Sequence, residues 1–130
     1  DMNIEPYLVS SSVTIIIAQR LVRMICSQCK CETQVPEETI KNFGLSAKQT
    51  FYKGIGCSAC GYTGYRGRTG IFEVLPISEN LRSLINKKAY ASEIRSAALE
   101  EGMVTLRESA LSKLTDGITT VEEVLREVFV

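Results

Sequence analysis

Two Cys-x-x-Cys pairs, Cys26–Cys29 and Cys57–Cys60, constrain this chain more than any other feature. A two-residue spacer lets both sulfurs of a pair face one ion at about 2.3 Å, in a turn whose backbone N–H groups also reach the thiolates. Two such pairs complete a tetrahedron. The chain contains no histidine, so any tetrahedral nitrogen–sulfur site must be all cysteine. Gly61 directly follows the second pair and suits the tight turn after a ligand. The 27 residues between the pairs exceed the commonest zinc-ribbon spacing, but lengthening such a loop costs little entropy.

One structural Zn2+ held by Cys26, Cys29, Cys57 and Cys60 is therefore the expected use of these thiols. Two disulfides would need an oxidising compartment. The nearest approach to a secretory leader, Val13–Ala18, is too short and has no basic residue before it. A thioredoxin-like redox pair needs one Cys-x-x-Cys at a helix start, and two pairs argue against it. An iron–sulfur cluster would take the same ligands and stays open as an alternative. Cys31 extends the first pair to Cys-x-x-Cys-x-Cys and reads as a bystander on a loop rather than a spare ligand or reactive thiol.

A chain of 130 residues is one domain's worth of protein or a piece of something larger, and its start at Asp1 favours a piece. Apolar residues make up 45% of it, enough for a packed core. No stretch approaches the eighteen or so apolar residues a membrane-spanning helix needs. Fifteen basic and fifteen acidic residues give zero formal charge. The segment from Thr39 to Phe72 nevertheless holds five bases (Lys41, Lys48, Lys53, Arg66, Arg68) and no acid. Four thiolates around Zn2+ carry net −2 and offset part of that charge. A neutral chain lacks the excess that nucleic-acid binding needs, so no nucleic-acid partner is expected.

Along the chain, Val13-Thr14-Ile15-Ile16-Ile17 is β-branched throughout and favours a buried strand. Residues 26–60 read as loops, residues 61–70 as glycine-rich turns, and Ile71–Leu75 as a strand closed by Pro76. Four helices follow. Ser78 caps the first, with Leu81, Leu84 and Ile85 inward. Ser92 caps the second, with Ile94, Ala97 and Ala98 inward and Gly102 past its end. Thr105-x-x-Glu108 and Thr120-x-x-Glu123 are capping boxes. They open helices carrying Leu106, Ala110, Leu111 and Leu114, then Val121, Val124, Leu125 and Val128.

Three strings are highly specific: Asp1 to Ser12, Ala18-Gln19-Arg20-Leu21-Val22-Arg23, and Gly56 to Glu73 with Cys60-Gly61-Tyr62-Thr63-Gly64-Tyr65-Arg66-Gly67-Arg68-Thr69-Gly70 at its heart. With Gly102-Met103, Thr105-Leu106 and Gly117 to Val124 they make essentially the whole chain resemble the C-terminal end of the traffic ATPases of type II secretion and type IV pilus assembly. The resemblance implies an α+β fold: the tail of a RecA-like ATPase domain with a small antiparallel strand pair, a four-cysteine zinc-binding insertion and an α-helical C-terminal bundle. It divides the chain into residues 1–25 (helix then strand, ending the ATPase domain), 26–60 (the zinc insertion), 61–77 (glycine-rich turn and returning strand) and 78–130 (the helical bundle). In relatives the helix after Pro6 runs to about Gln19, and a strand from Arg20 to Ile25 pairs with Thr69–Leu75.

The same resemblance implies a hexameric cytoplasmic motor, peripheral to the inner membrane through a platform protein, with ATP and Mg2+ bound by an upstream RecA-like domain. No Gly-x-x-x-x-Gly-Lys-Ser/Thr loop occurs here, so the chain alone is not expected to hydrolyse ATP. Arg66 and Arg68 beside Tyr62 and Tyr65 are candidates for contact with nucleotide or a neighbouring subunit; surface stacking on the tyrosines explains them equally well. Gln19 and Arg20 are candidates for the junction with the upstream domain. The alternative to a motor tail is a free-standing zinc-ribbon module that binds protein or nucleic acid. Residues 26–60 look poor in core formers, so the metal should supply most of their order. Cys26→Ser or Cys57→Ser should then loosen that segment under limited proteolysis and leave the helical tail folded.

Overall fold

A computed structural model describes residues 3–128. Its elements in chain order are α1 (Pro6–Ser12), β1 (Ile15–Ile25), β2 (Lys30–Thr33), α2 (Glu37–Asn42), β3 (Phe51–Gly54), β4 (Tyr65–Pro76), α3 (Glu79–Asn86), α4 (Ala91–Glu100), α5 (Leu106–Thr115) and α6 (Val121–Val128). The fold is α+β, with β1 paired to β4 and β2 to β3. Hydrogen bonds from Ile77 N–H to Thr14 O and from Cys26 N–H to Gly64 O set the start of each long strand against the end of the other, so β1 and β4 run antiparallel. Two compact units result: residues 1–19 with 72–105, and residues 20–71 with 106–130.

The first unit packs α1, α3 and α4 around Ile77, Leu81 and Ala98, joined by Leu84, Ile85, Ile94, Ala97 and Met103. Pro6 opens α1, where its missing N–H and fixed φ cost nothing. Ser10 is buried and donates to Asn86 Oδ1 at 2.6 Å, and the Arg82 guanidinium donates to Ser10 O. Ser78 caps α3 as its sequence suggests, accepting from Leu81 N–H at 3.1 Å. Ser92 does not cap α4: that helix starts at Ala91 after Tyr90, which makes no side-chain cap bond. An internal serine bonds its own turn as readily as a helix end, so a lone serine marks a helix start only to within a residue or two.

The helix after Pro6 stops at Ser12 instead of reaching Gln19. Ile15 to Ile17 lose side-chain rotamer freedom in a helix and gain a strand partner here, while Val13 and Thr14 precede the strand, so propensity prevails over the pattern of the relatives. The expected burial fails, because Ile15, Ile16 and Ile17 are all exposed. Successive strand residues face opposite sides of a two-stranded ribbon, and the first unit's core covers neither side fully at these positions.

The second unit is built on Val22, Phe51, Ile71, Ala110, Leu114, Val121 and Val124. Val35, Ile40, Leu45, Leu111, Leu125 and Val128 complete it. Two expectations change here. Residues 26–60 are not mostly loop: they carry the β2–β3 hairpin, in register from Lys30↔Gly54 to Thr33↔Phe51, and α2. Nor are they poor in core formers, because Phe51, Val35, Ile40 and Leu45 share one core with α5 and α6. Their apolar residues are too widely spaced to announce themselves by period, and only the hairpin gathers them.

The four C-terminal helices exist with the apolar stripes expected of them, yet they do not make one bundle. The pair α3–α4 belongs to the first unit and α5–α6 to the second. Helical periodicity specifies which face is apolar and not which neighbour covers it. The strand after the glycine-rich stretch is also longer than expected, beginning at Tyr65 and absorbing Gly67 and Gly70.

The shared core revises the expectation for cysteine replacement: loosening residues 26–60 should also loosen α5–α6 and spare α3–α4. Leu114→Ala tests this directly. It should cost about 2–5 kcal/mol in chemical denaturation and raise protease cleavage within residues 30–56 as well as in α5. An unchanged hairpin in that variant would show that the two halves of the second unit fold separately.

Candidate metal centre

The end of β1, the open end of the β2–β3 hairpin and the start of β4 converge on the four cysteines. Ile25 N–H donates to Ile118 O at 2.8 Å and Cys26 N–H to Gly64 O at 3.0 Å, fixing the first pair against the returning chain. Ile55 N–H donates to Cys29 O at 3.2 Å, and Tyr62 N–H to Cys57 O at 2.8 Å, closing the two knuckles. Gly61 adopts φ +64° as the left-handed residue ending the turn Ser58–Cys60. Gly54 and Gly64 lie so close that a Cβ on Gly54 would fall on the Gly64 carbonyl group. Only paired glycines let the hairpin and β4 approach closely enough for the sulfurs to meet.

All four sulfurs lie within 4.8 Å of one another. Cys26 and Cys57 are 3.8 Å apart, Cys29 and Cys60 3.9 Å, and Cys57 and Cys60 3.8 Å. Four metal–sulfur bonds of about 2.3 Å at tetrahedral angles require edges of about 3.8 Å. A disulfide needs about 2.05 Å, so none of these pairs is one. Cys26 and Cys29 are buried and the second pair half-buried. Backbone N–H groups approach the sulfurs: Gly56 to Cys29 Sγ at 3.4 Å, and Cys57 and Gly64 to Cys60 Sγ at 3.3 and 3.2 Å. Such bonds spread thiolate charge into the backbone.

Without a cation the four thiols cannot ionise alike. Burial pushes the Cys29 thiol up to about 12, reinforced by the neighbouring thiols. Burial also raises Cys60, but the Cys57 and Gly64 N–H groups and the adjacent thiols outweigh it and bring Cys60 to about 6. A bound divalent ion must displace the protons that remain, so affinity rises with pH. Cys31 stands outside the group, half-buried on β2 opposite Lys53.

The other predicted site residues separate. Arg20 and Arg68 line one groove of about 500 Å3 in the second unit with Leu21, Arg23, Glu123, Arg126 and Glu127. Arg66 and Gln19 are exposed and lie outside it. Under that groove sits a polar cluster with no local pattern in the sequence. Arg23 grips Glu123 through its backbone N–H at 2.9 Å, Nε at 2.7 Å and a terminal nitrogen at 2.6 Å. The guanidinium also stacks 4.0 Å from the Tyr65 ring centre. The Tyr65 hydroxyl lies 2.7 Å from Thr120 Oγ1, and Thr119 Oγ1 donates to Arg23 O at 2.8 Å. Thr120 caps α6 by accepting from Glu123 N–H at 3.2 Å. The Glu123 carboxylate, expected to complete that capping box, goes to Arg23 instead. The two residues are 100 positions apart, so no local motif could announce the exchange.

Comparison with known proteins accords with the sequence strings. The type II/IV secretion system protein family matches residues 1–126. The chain belongs to that family. It is 43% identical over 129 residues to a type IV pilus assembly ATPase PilB of Thermus thermophilus, covering 96% of this chain and 14% of the relative. It is 42% identical to a type II secretion system protein E of Dickeya dadantii, covering 97% and 25%, and 39% identical to a type II secretion system ATPase E of Vibrio cholerae, with the same coverage. The chain thus spans a quarter or less of these family members' lengths.

Two outcomes follow from the geometry. Gly54→Ala should weaken metal binding about as much as loss of an outer-shell contact, roughly 10–100-fold, when competed against a chromophoric chelator; an unchanged affinity would show that the close approach is dispensable. Burial raises Glu123, but its hydrogen bonds from Arg23 prevail and hold it below its ordinary value of 4.5. A carboxylate depressed in this way contributes stability above its ordinary value and loses it as pH falls through 4.5 and below. Glu123→Gln should therefore unfold with a flatter acid dependence below pH 4.5 than the parent, and Glu123→Ala should cost about 1–3 kcal/mol at neutral pH.

Proposed function

We propose that this chain is the zinc-stabilised C-terminal module of an ATPase that powers type II protein secretion or type IV pilus assembly, with ATP and Mg2+ bound and hydrolysed elsewhere in the longer protein. The observation carrying the proposal is the identity of about 40% to ATPases of both machines over almost the whole chain. In this reading residues 1–25 end a RecA-like domain and residues 26–60 carry the zinc. Residues 61–77 return to that domain, and residues 78–130 supply the helices. Gln19, Arg20, Arg66 and Arg68 face the adjoining nucleotide domain or the next subunit of a hexamer. The motor works in the cytoplasm against a platform protein of the inner membrane; no helix among the described residues is long and apolar enough to cross a membrane.

Zinc is the ion that suits four thiolates with edges near 3.8 Å and no histidine. When bound it neutralises the thiolates and ties three separate stretches of backbone to one point. The chain's own residues do the rest: Gly56, Cys57 and Gly64 N–H groups orient the sulfurs, and the shared core passes the rigidity to α5 and α6.

Elemental mass spectrometry of the purified chain should find one zinc, with four protected thiols and one reactive thiol, Cys31. Iron, or five reactive thiols and no metal, would overturn the zinc assignment. In the full-length protein, Cys57→Ser should keep nucleotide binding and lose zinc together with secretion or piliation. Retained export by a zinc-free variant would remove the coupling role.

A further inference from the structure

The groove lined by Arg20, Arg68 and Arg126 is built to meet anions, and its charge is poorly satisfied from within. Arg23 is committed to Glu123 and Tyr65 and has little left to offer. Arg126 reaches Glu123 only at 3.8 Å, on a carboxylate Arg23 already holds. Arg20 meets Glu127 at 4.0 Å, the edge of an ion pair. Arg68 has no side-chain partner among the described residues. Three exposed guanidiniums thus border one depression, with the exposed side chain of Leu21 among them.

We propose that this groove docks an acidic segment of a partner protein, whose carboxylates pair with Arg20, Arg68 and Arg126 while an apolar neighbour packs on Leu21. Guanidinium forks match planar carboxylates two bonds at a time, and arginine is over-represented where protein surfaces bind one another. Nucleic acid fits less well. Among the described residues no aromatic side chain lines the groove for a base to stack on, and Arg23 occupies the nearby Tyr65 ring. The volume of about 500 Å3 accommodates a few side chains rather than a whole folded element. For Arg20 and Arg68 the inference replaces the nucleotide-domain or subunit contact of the ATPase reading, and it can be tested on the chain alone.

The test is a backbone-amide NMR titration of the metal-loaded chain with an oligoglutamate peptide at low salt, repeated with pyrophosphate. Shifts should concentrate at Arg20, Leu21, Arg68 and Arg126 and fade as salt rises past the screening limit. Arg68→Glu should weaken binding by about fivefold or more. Lys48→Glu, an equal charge change at an exposed site outside the groove, should weaken it by less than about twofold. Equal losses in the two variants, shifts spread over every basic surface, or binding of pyrophosphate but not oligoglutamate would overturn the proposal. So would shifts that track concentration-dependent self-association in sedimentation, which would make the occupant a second copy of this chain.

Discussion

Four sulfurs crowded within 4.8 Å cannot all be thiolate unless a cation sits among them, and most of the second unit's geometry exists to bring them there. Burial raises both Cys29 and Cys60, but the Cys57 and Gly64 N–H groups and the adjacent thiols bring Cys60 back down, so the metal-free cluster is an electrostatic conflict that a divalent ion resolves. The convergence depends on backbone rather than side-chain packing. Gly54 against Gly64 permits the approach, and the hydrogen bonds Cys26 N–H to Gly64 O and Gly64 N–H to Cys60 Sγ lock it. A single residue, Gly64, thereby serves both cysteine pairs at once.

From that point rigidity spreads in two directions. Along the hairpin it reaches Phe51, whose buried ring joins Leu114 and Val124 in one core. Along β4 the residue after Gly64 is Tyr65, which carries Arg23 on its ring and bonds Thr120 at the start of α6. Cysteine cluster, hairpin and last helix are therefore one mechanical body, and this explains why the long segment between the cysteine pairs need not be loose. Zinc modules that stand alone rely on the ion for nearly all their order, with binding worth on the order of 10 kcal/mol. Here part of that burden falls on the apolar core.

The pair of half-buried Arg23 with buried Glu123 is a further constraint on how this body is assembled. Desolvating a carboxylate is costly, and Glu123 is tolerated only because three nitrogen donors of Arg23 meet it. Its orientation removes the usual capping-box bond and uses the first turn of α6 to pin β1. That arrangement leaves Arg68 without a side-chain partner among the described residues and Arg20 and Arg126 only loosely paired, at 4.0 and 3.8 Å, around the same groove.

Much of this protein was legible in its sequence for reasons of spacing and chemistry. Two Cys-x-x-Cys pairs pick out the four cysteines that the fold gathers, Ser78 and Thr120 mark helix starts through short-range bonds, and the stripes on α3 to α6 identify the buried faces. The family strings were equally readable. Tertiary structure decided what depends on residues far apart in the chain. It assigned α3–α4 and α5–α6 to different cores, because periodicity names a face and not its neighbour. It turned residues 30–54 into a hairpin with its own share of the core, since the apolar residues there have no regular period. It also took Glu123 from its local cap to Arg23, because an opposite charge brought close across the fold outweighs a backbone N–H nearby.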